Sequence, residues 1–110
     1  MQPRINLWIE KDGDVVLSVW RVQLLEAIEQ TGSISAAANK MEISYHRAWD
    51  KIQEMENGLG LQLIQTHTGG AGGGGAQLTD AGRNLIAKFY RFQQGFEQQV
   101  QQRFDRIFGH

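Results

Sequence analysis

A chain of 110 residues with 41% hydrophobic content suits one small domain around a single core. It has no cysteine, which excludes a disulfide framework, a thiolate zinc site and a cysteine nucleophile, and it has neither an apolar run long enough to span a membrane nor a signal-peptide start, so a soluble cytoplasmic protein with no membrane partner is expected. Eleven basic residues against twelve acidic ones give a net charge of −1, which argues against binding nucleic acid by bulk positive potential. Residues 1–32 carry three basic and five acidic groups, residues 33–79 three and four, and residues 80–110 five and three. Any attraction to phosphate must therefore come from local placement, helix N-termini and backbone amides.

Residues 4–11 alternate Ile5, Leu7 and Ile9 with Asn6, Trp8 and Glu10, the period of a half-buried strand. Asp12-Gly13 is a hairpin turn signal, and Val15, Val16 and Leu17 make the return strand. Ser18 caps a helix over 19–31 whose apolar stripe is Trp20, Leu24, Leu25, Ala27 and Ile28, with Arg21, Gln23, Glu26, Glu29 and Gln30 as its polar side. Gly32 stops it, and the helix reads as core scaffold.

Ser33 or Ser35 then caps a short helix in which Ala36, Ala37 and Ala38 allow close packing. Met41, Glu42 and Ile43 make a tight turn without glycine, and Ser44 caps the next helix. Short helix, turn, longer helix is the helix-turn-helix arrangement. In the stretch Ile43–Met55, Ala48, Ile52 and Met55 share one side with Tyr45 and Trp49 at its flank, and His46, Arg47, Asp50, Lys51 and Glu54 fall on the other. That polar face is compatible with plain solvation, but its setting favours DNA contact. Arg47 and Lys51 are suited to guanine or phosphate, His46 and Ser44 lie near the helix start, and Tyr45 offers a hydroxyl to phosphate. Asp50 repels phosphate unless it accepts from cytosine or fixes Arg47 or Lys51 by pairing. Glu54 reads as a solubility residue, and Trp49 as core.

Residues 61–66 suggest a strand and Gln77-Leu78 a short return, with Thr79 capping a last helix that has Asp80 in its first turn. Between them lie six of the chain's 13 glycines, Gly69, Gly70, Gly72, Gly73, Gly74 and Gly75. This is no phosphate-binding P-loop, since Ala76-Gln77 stands where Lys-Ser/Thr is needed. A flexible linker is one alternative, but placement between two strands favours a wing tip whose amides can meet DNA, with His67 and Thr68 at its base. The last helix is expected from Asp80 to about Phe108, weakened at Gly95. Its stripe includes Phe89, Phe92, Phe96, Val100, Phe104 and Ile107 and outruns the core, so these residues are expected to dimerise with a second copy. Residues 1–92 are thus expected to form the winged helix-turn-helix domain and 93–110 a helical extension, in a mainly α fold with small β hairpins. His46, His67 and His110 lack metal-ligand spacing, and no enzyme chemistry or metal site is expected.

The stretches TGSISAAA at Thr31–Ala38, ISYHRAWDKIQEM at Ile43–Met55 and TGGAGGGGAQLTDAG at Thr68–Gly82 resemble the N-terminal domain of ModE-type molybdate-responsive transcription regulators, with wider similarity to LysR-type winged helices. The resemblance covers roughly residues 5–92. It implies a homodimeric, nucleoid-associated bacterial or archaeal regulator that binds double-stranded DNA through the helix-turn-helix and the wing. In that family molybdate is sensed by separate C-terminal domains, for which a chain ending at His110 has no room, so no cofactor is expected here and a separate effector-sensing protein is a conceivable partner. A naturally short protein is the favoured expectation over a fragment. The competing reading is a winged helix used for protein interaction or dimerisation without specific DNA binding.

Overall fold

A computed structural model of the chain describes residues 1–68 and 74–109. Strands β1 (Trp8–Lys11) and β2 (Asp14–Ser18) form an antiparallel hairpin. Its two-residue loop, Asp12 and Gly13, has φ of 54° and 87°, as the expected tight turn requires. A bulge pairs Ile9 with Leu17 but Glu10 with Val15, so that the adjacent residues Val16 and Leu17 are both buried. Strict alternation would have turned one of them to solvent. The strand begins at Trp8 rather than Arg4 because its partner ends at Ser18, where a helix starts, leaving nothing to pair with residues 4–7.

Helix α1 (Val19–Thr31) starts where the Ser18 hydroxyl accepts the Arg21 amide and ends at Gly32, left-handed at φ 81°. Helix α2 (Ile34–Lys40) is capped by Ser33 rather than Ser35, and buries Ala37 and Ala38 completely or nearly so. The turn to the next helix works without glycine because Glu42 takes the left-handed conformation itself, at φ 61°. The Glu42 amide donates to the Asn39 carbonyl and the Ile43 amide to the Ala38 carbonyl, holding the turn closed. These bonds hold a conformation that costs a residue with a Cβ about 1–2 kcal/mol.

Helix α3 (Tyr45–Leu59) is capped by Ser44 and runs one turn beyond the expected Met55, to Gly60. The extra turn carries Glu56, whose carboxylate accepts the amides of Leu63 and Ile64 at 2.8 and 3.2 Å and so sets where the next strand leaves the helix. Strands β3 (Ile64–His67) and β4 (Gly75–Leu78) pair antiparallel, Ile64 with Leu78 through His67 with Gly75. The ladder does not reach back to Leu61, because the residue after Leu78 is Thr79, already the cap of helix α4 (Asp80–Gln93). Thr79 accepts from the Gly82 amide and donates its hydroxyl to the Gln62 carbonyl.

The core is one cluster made by α1, α2, α3, α4 and both hairpins, with Leu24, Leu25, Ile28, Ala37, Ala48, Ile52, Met55 and Leu63 at its centre. The fold is the expected winged helix-turn-helix. Its C-terminal helical segment occupies the expected residues but in two pieces: α4 ends at Gln93, Gly95 turns left-handed at φ 86°, and α5 (Phe96–Phe108) follows. Gly95 was legible as a weak point, and it acts as a break because it can adopt a φ that other residues resist. Helix α5 has no buried residue and extends from the core, giving the chain dimensions of 60 × 28 × 22 Å.

Candidate nucleic-acid interface

The two faces of α3 divide as the spacing foretells. Ala48, Ile52 and Met55 are buried, while Tyr45, His46, Arg47 and Asp50 are exposed on its first two turns beside the exposed Ser44 cap. The capping bond, Arg47 amide to Ser44 hydroxyl at 3.1 Å, fixes where the helix begins and therefore where Arg47 points. The Arg47 guanidinium has no ion pair among the described residues. Asp50 pairs with His46 one turn back, Oδ2 to Nε2 at 3.4 Å, and not with Arg47 or Lys51. Lys51 lies 3.6 Å from Glu54 and its side chain is less exposed than that of Asp50.

Glu54 differs from its expected role as a solubility residue. Its carboxylate accepts from Arg21 Nη2 at 2.8 Å, tying α3 to α1. Arg21, expected on the polar side of α1, is only 7% exposed, and its Nη1 is buried without a hydrogen-bond partner. A buried guanidinium needs a carboxylate partner, which places Glu54 in the scaffold. The hydrogen bond from Arg21 comes first among the influences that hold the Glu54 carboxyl below the usual carboxylate range, with Lys51 adding to it against partial burial.

Trp49, expected in the core, is 37% exposed. Its neighbour Ala48 is fully buried instead, in a helix that packs on α2, and the indole is left at the flank. Trp49 and Tyr45 face a cleft of about 370 Å³ between α3, the start of α2 and the β3–β4 hairpin, lined also by Ser33, Ile34, Ser35, Thr66, His67, Thr68, Gly74, Gly75 and Ala76. Ser33, Ser35, Thr66 and Trp49 were not among the expected interface residues. The four-residue spacing already set Tyr45 and Trp49 together at one flank of α3, and the signal it lacks is that this flank is exposed at Trp49.

The hairpin is held against the corner between α1 and α2 by the Ala76 amide, which donates to the Gly32 carbonyl at 2.8 Å. Gly75 is tightly placed: a Cβ there would lie 2.6 Å from His67 Nε2 and 3.2 Å from the Gly32 carbonyl oxygen. His67 and Thr68 are exposed at the hairpin's end. Of the glycines expected in the wing tip, Gly74 and Gly75 are described, and Gly69, Gly70, Gly72 and Gly73 lie outside the described residues, as does His110.

Among the residues expected to dimerise, Phe89 is 2% exposed and belongs to the monomer's own core, because α4 up to that point lies on α1. The Tyr90 hydroxyl reinforces that docking by donating to Glu26 at 2.6 Å, a bond that raises the phenol to about 12. Beyond it Phe92 is exposed and meets Phe96 edge-on at 5.6 Å, Val100 and Phe104 are half-buried, Phe104 stacks on Phe108 at 4.9 Å, and Ile107 is exposed. Among the described residues there is no cluster of three or more His, Asp or Glu able to hold a metal, and no helix is long and apolar enough to cross a membrane.

Residues 20–83 match the family model for the bacterial regulatory helix-turn-helix protein, lysR family. The molybdenum transport protein ModE of Azotobacter vinelandii is 40% identical over 99 residues, covering 90% of this chain and 35% of the relative. The DNA-binding transcriptional dual regulator ModE of Escherichia coli (strain K12) is 42% identical over 86 residues, covering 78% and 33%. The molybdenum-pterin-binding protein MopB of Rhodobacter capsulatus is 49% identical over 75 residues, covering 68% and 28%. The chain thus spans about a third of the length of the curated relatives it matches. Among solved structures, the BenM DNA-binding domain in complex with benA site 1 DNA aligns with a TM-score of 0.60 at 21% identity, over 86% of this chain and all of that one. The CbnR DNA-binding domain in its DNA complex aligns with a TM-score of 0.53 at 23% identity, over 66% and 78%. These structural likenesses are likenesses of fold.

Proposed function

The chain belongs to the LysR family of bacterial regulatory helix-turn-helix proteins, and from that premise we propose that it is a non-enzymatic, sequence-specific DNA-binding transcription regulator that acts as a homodimer in the cytoplasm. The observation that carries the reading is the exposed first half of α3. Ser44, Tyr45, His46 and Arg47 stand clear of the core beside the hairpin, while the opposite face of the same helix is fully packed. A helix held so rigidly on one side can enter a major groove with the other.

In this reading Arg47 is the principal base or phosphate contact, because its guanidinium has no competing carboxylate among the described residues. His46 and Asp50 act as a pair, and Lys51 reaches phosphate at the edge of the groove. The β3–β4 hairpin serves as the wing, with His67, Thr68 and the glycines that follow against the backbone. Two copies joined through Phe92, Phe96, Val100, Phe104 and Ile107 would set half-sites about 34–36 Å apart, one turn of duplex. No cofactor is assigned to these residues. Effector control is proposed to enter through a further polypeptide segment or a separate sensing protein.

The experiment is equilibrium binding to duplexes enriched from a random library, with Arg47→Ala alongside. The variant is expected to stay folded and to lose tenfold or more in affinity, the worth of roughly 1.4 kcal/mol or more expected for one bidentate base contact. The acidic balance of residues 33–79 and the exposed apolar stripe of α5 favour a second reading, a protein-interaction module. Unchanged binding by Arg47→Ala would place the DNA contact elsewhere, and no binding by either protein would favour the interaction module.

A further inference from the structure

We propose that Gly95 is a positioning residue for DNA recognition, a role that rests on the dimeric DNA-binding reading above. The joint it forms between α4 and α5 is a two-state element, and its bent state fixes the separation of the two half-sites. Phe89 is the last residue of the chain in the core cluster, and no apolar residue of α5 belongs to that cluster or packs partly buried against it. The direction of α5 relative to α3 is therefore set at the joint, where Gln94 has φ −58° and ψ 128° and Gly95 has φ 86° and ψ −13°. The joint lacks the bonds that close the other helix ends. Ser18, Ser33, Ser44 and Thr79 cap α1 to α4 with a side-chain oxygen, and Gly95 offers α5 none. The residue after α1, α2, α3 and α5 donates its amide back into the helix it ends, and among the described residues Gln94 makes no such bond to α4. Gly95 serves by its φ and not by close approach, because no atom of a non-neighbouring residue lies within 4 Å of where its Cβ would stand.

A straight state is open to the same residues. The spacing of Phe89, Phe92, Phe96, Val100 and Phe104 runs through Gly95 at three and four residues, as one continuous helix requires. The chain's single proline is Pro3, so none interrupts the segment. In a continuous helix the last carbonyls of α4 and the first amides of α5 would satisfy one another. That gain opposes the cost of ordering a glycine in a helix, and opposed terms of this kind leave two states accessible. Phe92 and Phe96, edge-on at 5.6 Å across the joint, are four residues apart and stay neighbours when it straightens. On the concave side a space of about 770 Å³ separates the joint from Ile5, Leu7 and Val19, so the bend is not wedged in place. A turn of about 30° at the joint carries the far end of α5, a helix about 20 Å long, through about 10 Å, or about three base-pair steps. Paired half-sites do not absorb such a change, since each base pair also turns a site by about 35° around the duplex.

The test selects duplexes from a random library with the full chain as wild type, Gly95→Ala and Gly95→Asn, and follows each by light scattering, circular dichroism and binding to the wild-type duplex and to one isolated half-site. Alanine resists the left-handed conformation and favours the straight state, and asparagine tolerates that conformation and keeps the bend. Gly95→Ala is expected to stay dimeric, to gain helical signal and to bind the isolated half-site as wild type does. It is expected to enrich half-sites separated differently by one base pair or more. On the wild-type duplex it should lose roughly a hundredfold in affinity, the scale of a second tethered site that no longer reaches. Gly95→Asn is expected to keep the wild-type separation. A dimeric Gly95→Ala with wild-type separation and affinity would overturn the role. So would a monomeric Gly95→Ala, which would place the residue in the interface itself, or a Gly95→Asn that shifts the separation as far as alanine does. A wild type that enriches single half-sites would overturn the dimer and the joint's role while leaving DNA binding intact. A wild type that enriches nothing would overturn the DNA-binding reading and the joint's role together.

Discussion

At Gly82 a missing methyl decides how closely the last core helix approaches the wing. A Cβ there would lie 2.5 Å from the Leu63 carbonyl oxygen, which already accepts the Thr79 amide. Elsewhere in a helix Gly→Ala gains about 1 kcal/mol. Here the backbone clash reverses the sign, and Gly82→Ala is expected to destabilise by about 1–3 kcal/mol in denaturant unfolding. Arg21 and Glu54 make the complementary case for charge. Glu54→Ala would leave the buried guanidinium without its carboxylate. Because Glu54 is about half exposed, solvent screening trims the cost to about 1–2 kcal/mol. The same pair gives stability a pH dependence. The Glu54 carboxyl is held below its ordinary range, so its contribution is present above about pH 4.3 and is lost as pH falls through the folded-state value. Unfolding curves of Glu54→Gln are expected to decline less steeply than wild type over that acid window.

Among the elements, capped helices and the tight hairpin were the most legible. Ser18, Ser33, Ser44 and Thr79 each accept an amide in the first turn of the helix they precede, and Asp12-Gly13 makes the turn that its composition demands. Features set by long-range partners were not legible. Trp49 sits on the flank of an apolar stripe, and periodicity cannot tell a packed flank from an exposed one. Arg21 reads as polar and lies buried because Glu54, 33 residues away, receives it. Phe89 continues one stripe with Phe92, yet the stripe leaves the core between them. No residue of helix α5 is fully buried in one copy, so truncation after Phe92 is expected to shift the monomer's unfolding transition only slightly. The same truncation is expected to weaken self-association in light scattering, and an unaltered dimer would remove that role from α5.

At the scale of the whole molecule, a packed scaffold carries a proposed interface in which basic and acidic groups nearly balance. Neither the sum of charges nor a basic patch predicts nucleic-acid binding. The placement of α3, clamped at its start by Ser44 and at its far end by Arg21, Gly60 and Glu56, is what presents its exposed first turns for binding. A protein of this kind should depend on specific contacts more than on long-range attraction, with little affinity for unrelated duplex at physiological salt. The most direct measurement is selection of duplexes by the chain from a random library at low salt, followed by equilibrium binding to the enriched sequence. A dimeric sequence-specific regulator would yield an enriched sequence with two-fold symmetric half-sites about one helical turn apart, bound more tightly than its scrambled counterpart. A library that emerges unenriched, with no complex even at low salt, would contradict that reading.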